Sequence, residues 1–136
     1  MLEVQGINVY RGETQVLWDV SLEVHLGERI AILGSNGAGK SSLIGAITGI
    51  LPVARGEIRF KNELLSGLKP HQITRMGVAL VPEGRRVYKD MTVFENLEMG
   101  AYPERGRFEM RRTLDHVMGL FPVLARRRDQ RAGTLS

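Results

Sequence analysis

The chain has 136 residues, 43% hydrophobic and 25% charged, with no cysteine. These proportions suit one globular domain large enough to bury a core, and they exclude disulfides and thiolate metal sites. The net charge is +4, yet residues 1–103 carry 11 basic and 11 acidic side chains, so the excess lies in 104–136, where 8 face 4.

Leu2, Val4, Ile7 and Val9 alternate imperfectly with polar residues and predict a first strand. Gly12 signals a turn, and Val16–Val24 alternates again around Leu17, Val20, Leu22 and Val24. Trp18, within it, is expected to pack rather than bind. After a turn at 25–28, Arg29–Leu33 is a short apolar run of the kind buried on both faces of a parallel sheet. A glycine-rich loop follows at once. Leu43, Ile44, Ala46, Ile47 and Ile50 then fall at helical spacing, with Gly49 and Pro52 marking the helix end. Gly56–Phe60 alternates as a strand, Pro70 opens a short helix toward Met76, and Val78–Val81 is a second buried-type strand ended by Pro82. Thr92-Val93-Phe94-Glu95 fits a capping box opening a helix to about Ala101, and a further helix is predicted from Phe108 to Leu120.

No run approaches the 18 or so apolar residues a membrane span needs, and Met1–Gly6 has no basic then apolar pattern of a signal peptide. The basic run Arg126-Arg127-Arg128 has no interleaved aromatic residue. The stacking element of single-strand binding is missing, and nucleic acid is not an expected partner. His25, His71 and His116 share no metal-site spacing and read as ordinary turn or helix residues.

The chemistry concentrates in Gly34-Ser35-Asn36-Gly37-Ala38-Gly39-Lys40-Ser41, which satisfies the phosphate-loop pattern G-x-x-x-x-G-K-[ST] between a strand and a helix. Glycines permit backbone angles that aim successive N–H groups into one cavity. The cavity lies at a helix N-terminus, where free N–H groups and the helix dipole favour an anion. Lys40 adds a mobile full charge for the β- and γ-phosphates, and the Ser41 hydroxyl suits Mg²⁺. A GTPase would need an Asn-Lys-x-Asp base-reading motif, which the chain lacks, and a small kinase usually has the loop near its N-terminus.

Gly34–Leu43 resembles the Walker A segment of ATP-binding-cassette ATPases, and Val16–Val24 with Gly27-Glu28 resembles the antiparallel strands preceding it there. Val81–Tyr88, then Met91–Leu97 and Met99–Tyr102, is similar to the Q-loop and following helix of subunits serving branched-chain amino-acid transporters. The resemblance implies an α/β fold: a P-loop NTPase core with N-terminal antiparallel strands (1–90) and the start of the helical subdomain (91–136). It implies ATP and Mg²⁺ as cofactors, with Gly34–Ser42, Ser42 included, around the triphosphate. Ser41 and Glu83 would be near the metal, Glu83 linking nucleotide state to the permease. The family's adenine-stacking aromatic position is Arg11 here, with Tyr10 one residue before; either residue is a candidate for the base. Implied partners are membrane permease subunits and a second ATPase subunit in a head-to-tail dimer, at the cytoplasmic face of the inner (plasma) membrane. Leu135-Ser136 resembles the first residues of the Leu-Ser-Gly-Gly signature, so the Walker B strand and catalytic Glu are expected to be absent and the chain itself to turn over little ATP. A cassette ATPase for another substrate or a non-transport role, or a non-catalytic nucleotide-binding fragment, remains the alternative.

Overall fold

The computed structural model describes residues 1–84, 86–101 and 104–135, with backbone alone at 104–108. Arg85, Tyr102 and Ser136, which carry part of the family resemblance, lie outside them. The chain forms two compact units, Met1–Leu80 and Val81–Ser136.

In the first unit β1 (Leu2–Arg11), β2 (Thr14–Val24), β3 (Val53–Phe60) and β4 (Glu63–Leu64) form one antiparallel sheet in the order β2-β1-β3-β4. The imperfect alternation of β1 has a cause. Val4 pairs with Leu22 but Ile7 with Val20, so β1 carries an extra residue at Gly6, whose φ is +57°. This bulge returns Ile7 and Val9 to the buried face. Gly56 of β3 faces it: a β-carbon there would collide with the carbonyl oxygens of Gln5 and Gly6. A compensating bulge in β2 leaves Trp18 and Asp19 between Leu17 and Val20. Trp18 is therefore turned outward, 65% exposed, contrary to the expectation that it packs.

Helix α1 (Lys40–Ile47) lays Leu43, Ala46 and Ile47 into a core with Val4, Ile7, Val9, Leu17, Ile58, Leu65 and Ile73. It ends where the sequence signals: Gly49 has φ +74°, and the Ile50 N–H reaches back to the Gly45 carbonyl at 2.8 Å. Ile73 arrives on α2 (Pro70–Arg75).

The runs Arg29–Leu33 and Val78–Val81, expected as buried strands, enter no ladder among the described residues. A parallel-type strand buried on both faces needs neighbours along its edges, and the four antiparallel strands supply none. Leu33 is consequently 90% exposed and Val81 93%. Ile30, Ile32, Val78 and Leu80 line an apolar hollow of about 240 Å³ together with Leu22 and Ile44.

The second unit contains α3 (Val93–Gly100), α4 (Glu104–Leu120), α5 (Pro122–Arg126) and a 3₁₀ turn at Ala132–Thr134. Helix α4 begins before the expected Phe108 and runs through Gly106, whose roughly 1 kcal/mol penalty does not stop it. The capping box forms at α3: the Thr92 hydroxyl accepts from the Glu95 N–H at 3.1 Å, and the Glu95 carboxylate accepts from the Thr92 N–H at 2.7 Å. These bonds hold the Glu95 carboxyl below its ordinary range, the backbone bond from Thr92 contributing most. Residues 128–133 run back along 89–94. Val93 and Phe94 donate backbone N–H groups to the Gln130 and Arg128 carbonyls, and Ala132 and Gly133 donate to Met91 and Lys89.

Candidate phosphate-binding site

The glycine-rich loop follows the unpaired run that ends at Leu33 and enters α1 at Lys40. Gly37 and Gly39 have φ of +87° and +94°, a left-handed region that side chains with a β-carbon rarely adopt. Gly39 is also the N-cap of α1, and it has a second reason to be glycine. A β-carbon there would stand 2.7 Å from Leu17 Cδ2 and 3.1 Å from the Val16 carbonyl oxygen, so the loop rests directly on β2. At Gly34 a β-carbon would press on Ala38 at 3.2 Å. An internal bond from the Ala38 N–H to the Ser35 carbonyl, 3.2 Å, tightens the turn.

The first helical bond of α1 runs from the Leu43 N–H to the Gly39 carbonyl, at 2.9 Å. The N–H groups ahead of Leu43 thus have no partner one turn back within the helix, and they meet the positive end of its dipole. Lys40 Nζ donates to the Gly34 carbonyl at 2.8 Å and the Ser35 carbonyl at 2.7 Å, which draws its charge across the loop mouth. Residues 34–38, Ser35 and Asn36 among them, are exposed, as is Ser41 on the first turn of α1, so hydroxyl and loop are open to a ligand. Ser42, next along, is buried. This arrangement of free donors, one ammonium and an open hydroxyl can hold a polyphosphate and offers an oxygen for a divalent cation.

The remaining predicted residues divide. Arg11, at the end of β1, donates from Nε to Ser42 Oγ at 3.3 Å, which brings it to the first turn of α1. Tyr10 is tied elsewhere: its hydroxyl donates to Gln15 Oε1 at 2.9 Å across the β1–β2 pair. Glu83 belongs to the second unit and is exposed between Pro82 and Gly84. Sequence reasoning did not identify the Arg11–Ser42 bond or the seat of Gly39 on Leu17. Both join residues more than 20 positions apart, and no local pattern announces them.

Residues 17–136 match the family model described as ABC transporter. The chain is 44% identical to the high-affinity branched-chain amino acid transport ATP-binding protein BraG of Pseudomonas aeruginosa, with all of the chain and 58% of that protein aligned. It is 32% identical to the probable branched-chain amino acid transport ATP-binding protein LivF of Archaeoglobus fulgidus, over all of the chain and 57% of the relative. The chain thus spans a little over half the length of the curated relatives it matches. Among solved structures, an ATP-binding subunit of an ABC transporter superposes with a TM-score of 0.87 at 32% identity, over all of this chain and 56% of that one. An ATP-binding cassette in its ADP conformation does so at 0.81 and 30%, over all of this chain and 59% of that one.

Proposed function

Because the chain belongs to the ABC transporter family, we propose that it binds the phosphates of ATP at Gly34–Ser42 as the nucleotide-binding part of a subunit that powers uptake of branched-chain amino acids. The observation that carries this reading is the loop itself. Left-handed glycines, an unpaired helix N-terminus and Lys40 converge on one exposed mouth. The likeness to two branched-chain amino acid transport ATP-binding proteins supports the substrate class.

The residues fit Mg²⁺ as a companion of the nucleotide. Ser41 would offer its exposed hydroxyl, and Glu83 is put forward as a further oxygen donor on the family resemblance alone. When bound, the cation neutralises phosphate charge and fixes the orientation of the chain of phosphates. Gly34–Gly39 bind the phosphates through backbone N–H groups, and Lys40 counters their charge. In this reading the subunit is peripheral, at the cytoplasmic face of the membrane, with permease subunits and a second ATPase subunit as partners. The described residues hold no helix long and apolar enough to cross a membrane. Residues 1–90 serve nucleotide binding, 91–136 begin the helical part, and the groups that drive hydrolysis are not assigned to these residues.

Replacing Lys40 with alanine in the full chain tests the reading. A charged hydrogen-bond donor is worth about 1.5–3 kcal/mol, so ATP affinity should fall by tenfold or more in a titration with Mg²⁺. Unchanged affinity would remove the basis of the proposal.

A further inference from the structure

Arg11 lies near the loop, and the phosphate-loop pattern does not account for it. It closes β1, with Gly12 and Glu13 between it and the start of β2, and β2 is the strand on which Gly39 rests. Its Nε donates to Ser42 Oγ at 3.3 Å, 31 positions along the chain. Ser42 is only 6% exposed and is the third residue of α1, beside Lys40 and Ser41. The bond therefore anchors the guanidinium edge-on at the helix turn whose N–H groups lack intrahelical partners.

Two facts define what the anchored group can do. Nε is the atom committed to Ser42, and no carboxylate pairs with Arg11 among the described residues. The two Nη groups keep the planar fork that matches phosphate oxygens bidentately. Lys40, by contrast, is drawn toward Gly34 and Ser35 at the other end of the loop. The two cations thus reach α1's N-terminal turn from different elements, as an extended polyanion requires.

We infer that Arg11 is a second phosphate-gripping cation, positioned by Ser42, and that it sets nucleotide affinity through the phosphates rather than through the base. This rests on the reading of Gly34–Ser41 as a polyphosphate loop.

The test is calorimetric binding of ATP and of inorganic tripolyphosphate, each with Mg²⁺, to the full chain and to its Arg11→Ala and Lys40→Ala variants. Arg11→Gln stands in should the alanine form not fold, judged by its thermal melt. Arg11→Ala is expected to weaken both ligands by the same factor, about tenfold. Loss of ATP affinity with tripolyphosphate unchanged would overturn the inference and assign Arg11 to the base. No change in either ligand would overturn it as well. Tripolyphosphate affinity that survives Lys40→Ala would bring down the loop reading itself, whereas loss with Lys40→Ala and none with Arg11→Ala would sink only the role of Arg11.

Discussion

The two units are held together by different means. Met1–Leu80 is organised around ten buried apolar side chains from the sheet, α1, α2 and the segment between β4 and α2. Among the described residues of Val81–Ser136, the buried apolar side chains are Val93 and Ala132. Hydrogen bonds carry more of the order there. Asn96 alone accepts from the Tyr88 N–H at 2.8 Å and donates to the Tyr88 and Thr92 carbonyls at 3.0 and 2.8 Å, which fastens residues 88–92 to α3. The Arg128 guanidinium lies 4.4 Å from the Phe94 ring centroid, so one of the three adjacent arginines is used within the unit. A core resists the loss of polar groups and suffers from cavities, and a hydrogen-bonded scaffold does the reverse.

Substitutions can break that contrast. Ile58 is fully buried at the centre of the first core, and Ile58→Ala should cost about 3 kcal/mol by transfer and cavity effects, read as a lower denaturant midpoint. In the second unit, Asn96→Ala should cost about 1 kcal/mol, because the Tyr88 N–H loses its side-chain acceptor while the Tyr88 and Thr92 carbonyls keep their backbone donors, Met91 and Asn96. Hydrogen exchange should show the first change speeding amides of β1 and β3, and the second speeding those of 88–92 and α3. Equal acceleration throughout the chain in both variants would mean that the units unfold as one body and the contrast is false.

The smallest expected effect is a pH dependence in α3. Glu95 has a folded pKa below its unfolded value, so its contribution is complete above the unfolded value and is lost as pH falls through the folded one. Protection of the α3 amides should therefore decline on acidification into that range in the native chain, and Glu95→Gln should flatten this dependence. A Gln variant with the same acid-side decline would show that the box does not carry it.

The capping box was legible because its whole signal is a Thr and a Glu three residues apart, and local geometry does the rest. The phosphate loop was legible for the same reason: glycine spacing and Lys40 encode the turn within eight residues. The sheet was partly legible, since Gly6 broke the alternation of β1 without revealing that a bulge was the cause. What lay beyond reach was pairing at a distance. Arg11 gives no sign of meeting Ser42, nor Phe94 of meeting Arg128, because such contacts follow from register and chain return rather than from neighbours. The apolar runs at 29–33 and 78–81 misled for a related reason: hydrophobicity states a demand for strand neighbours, and only the assembled sheet says whether the demand is met.

The seat of Gly39 on Leu17 makes the anion site a two-piece device. Its front is backbone, and its rear wall is a leucine of β2. Any tilt of that strand is handed to the mouth through the packed Leu17 side chain and the Val16 carbonyl, which leave no room for a β-carbon at Gly39. Pocket shape is thus inherited from strand pairing.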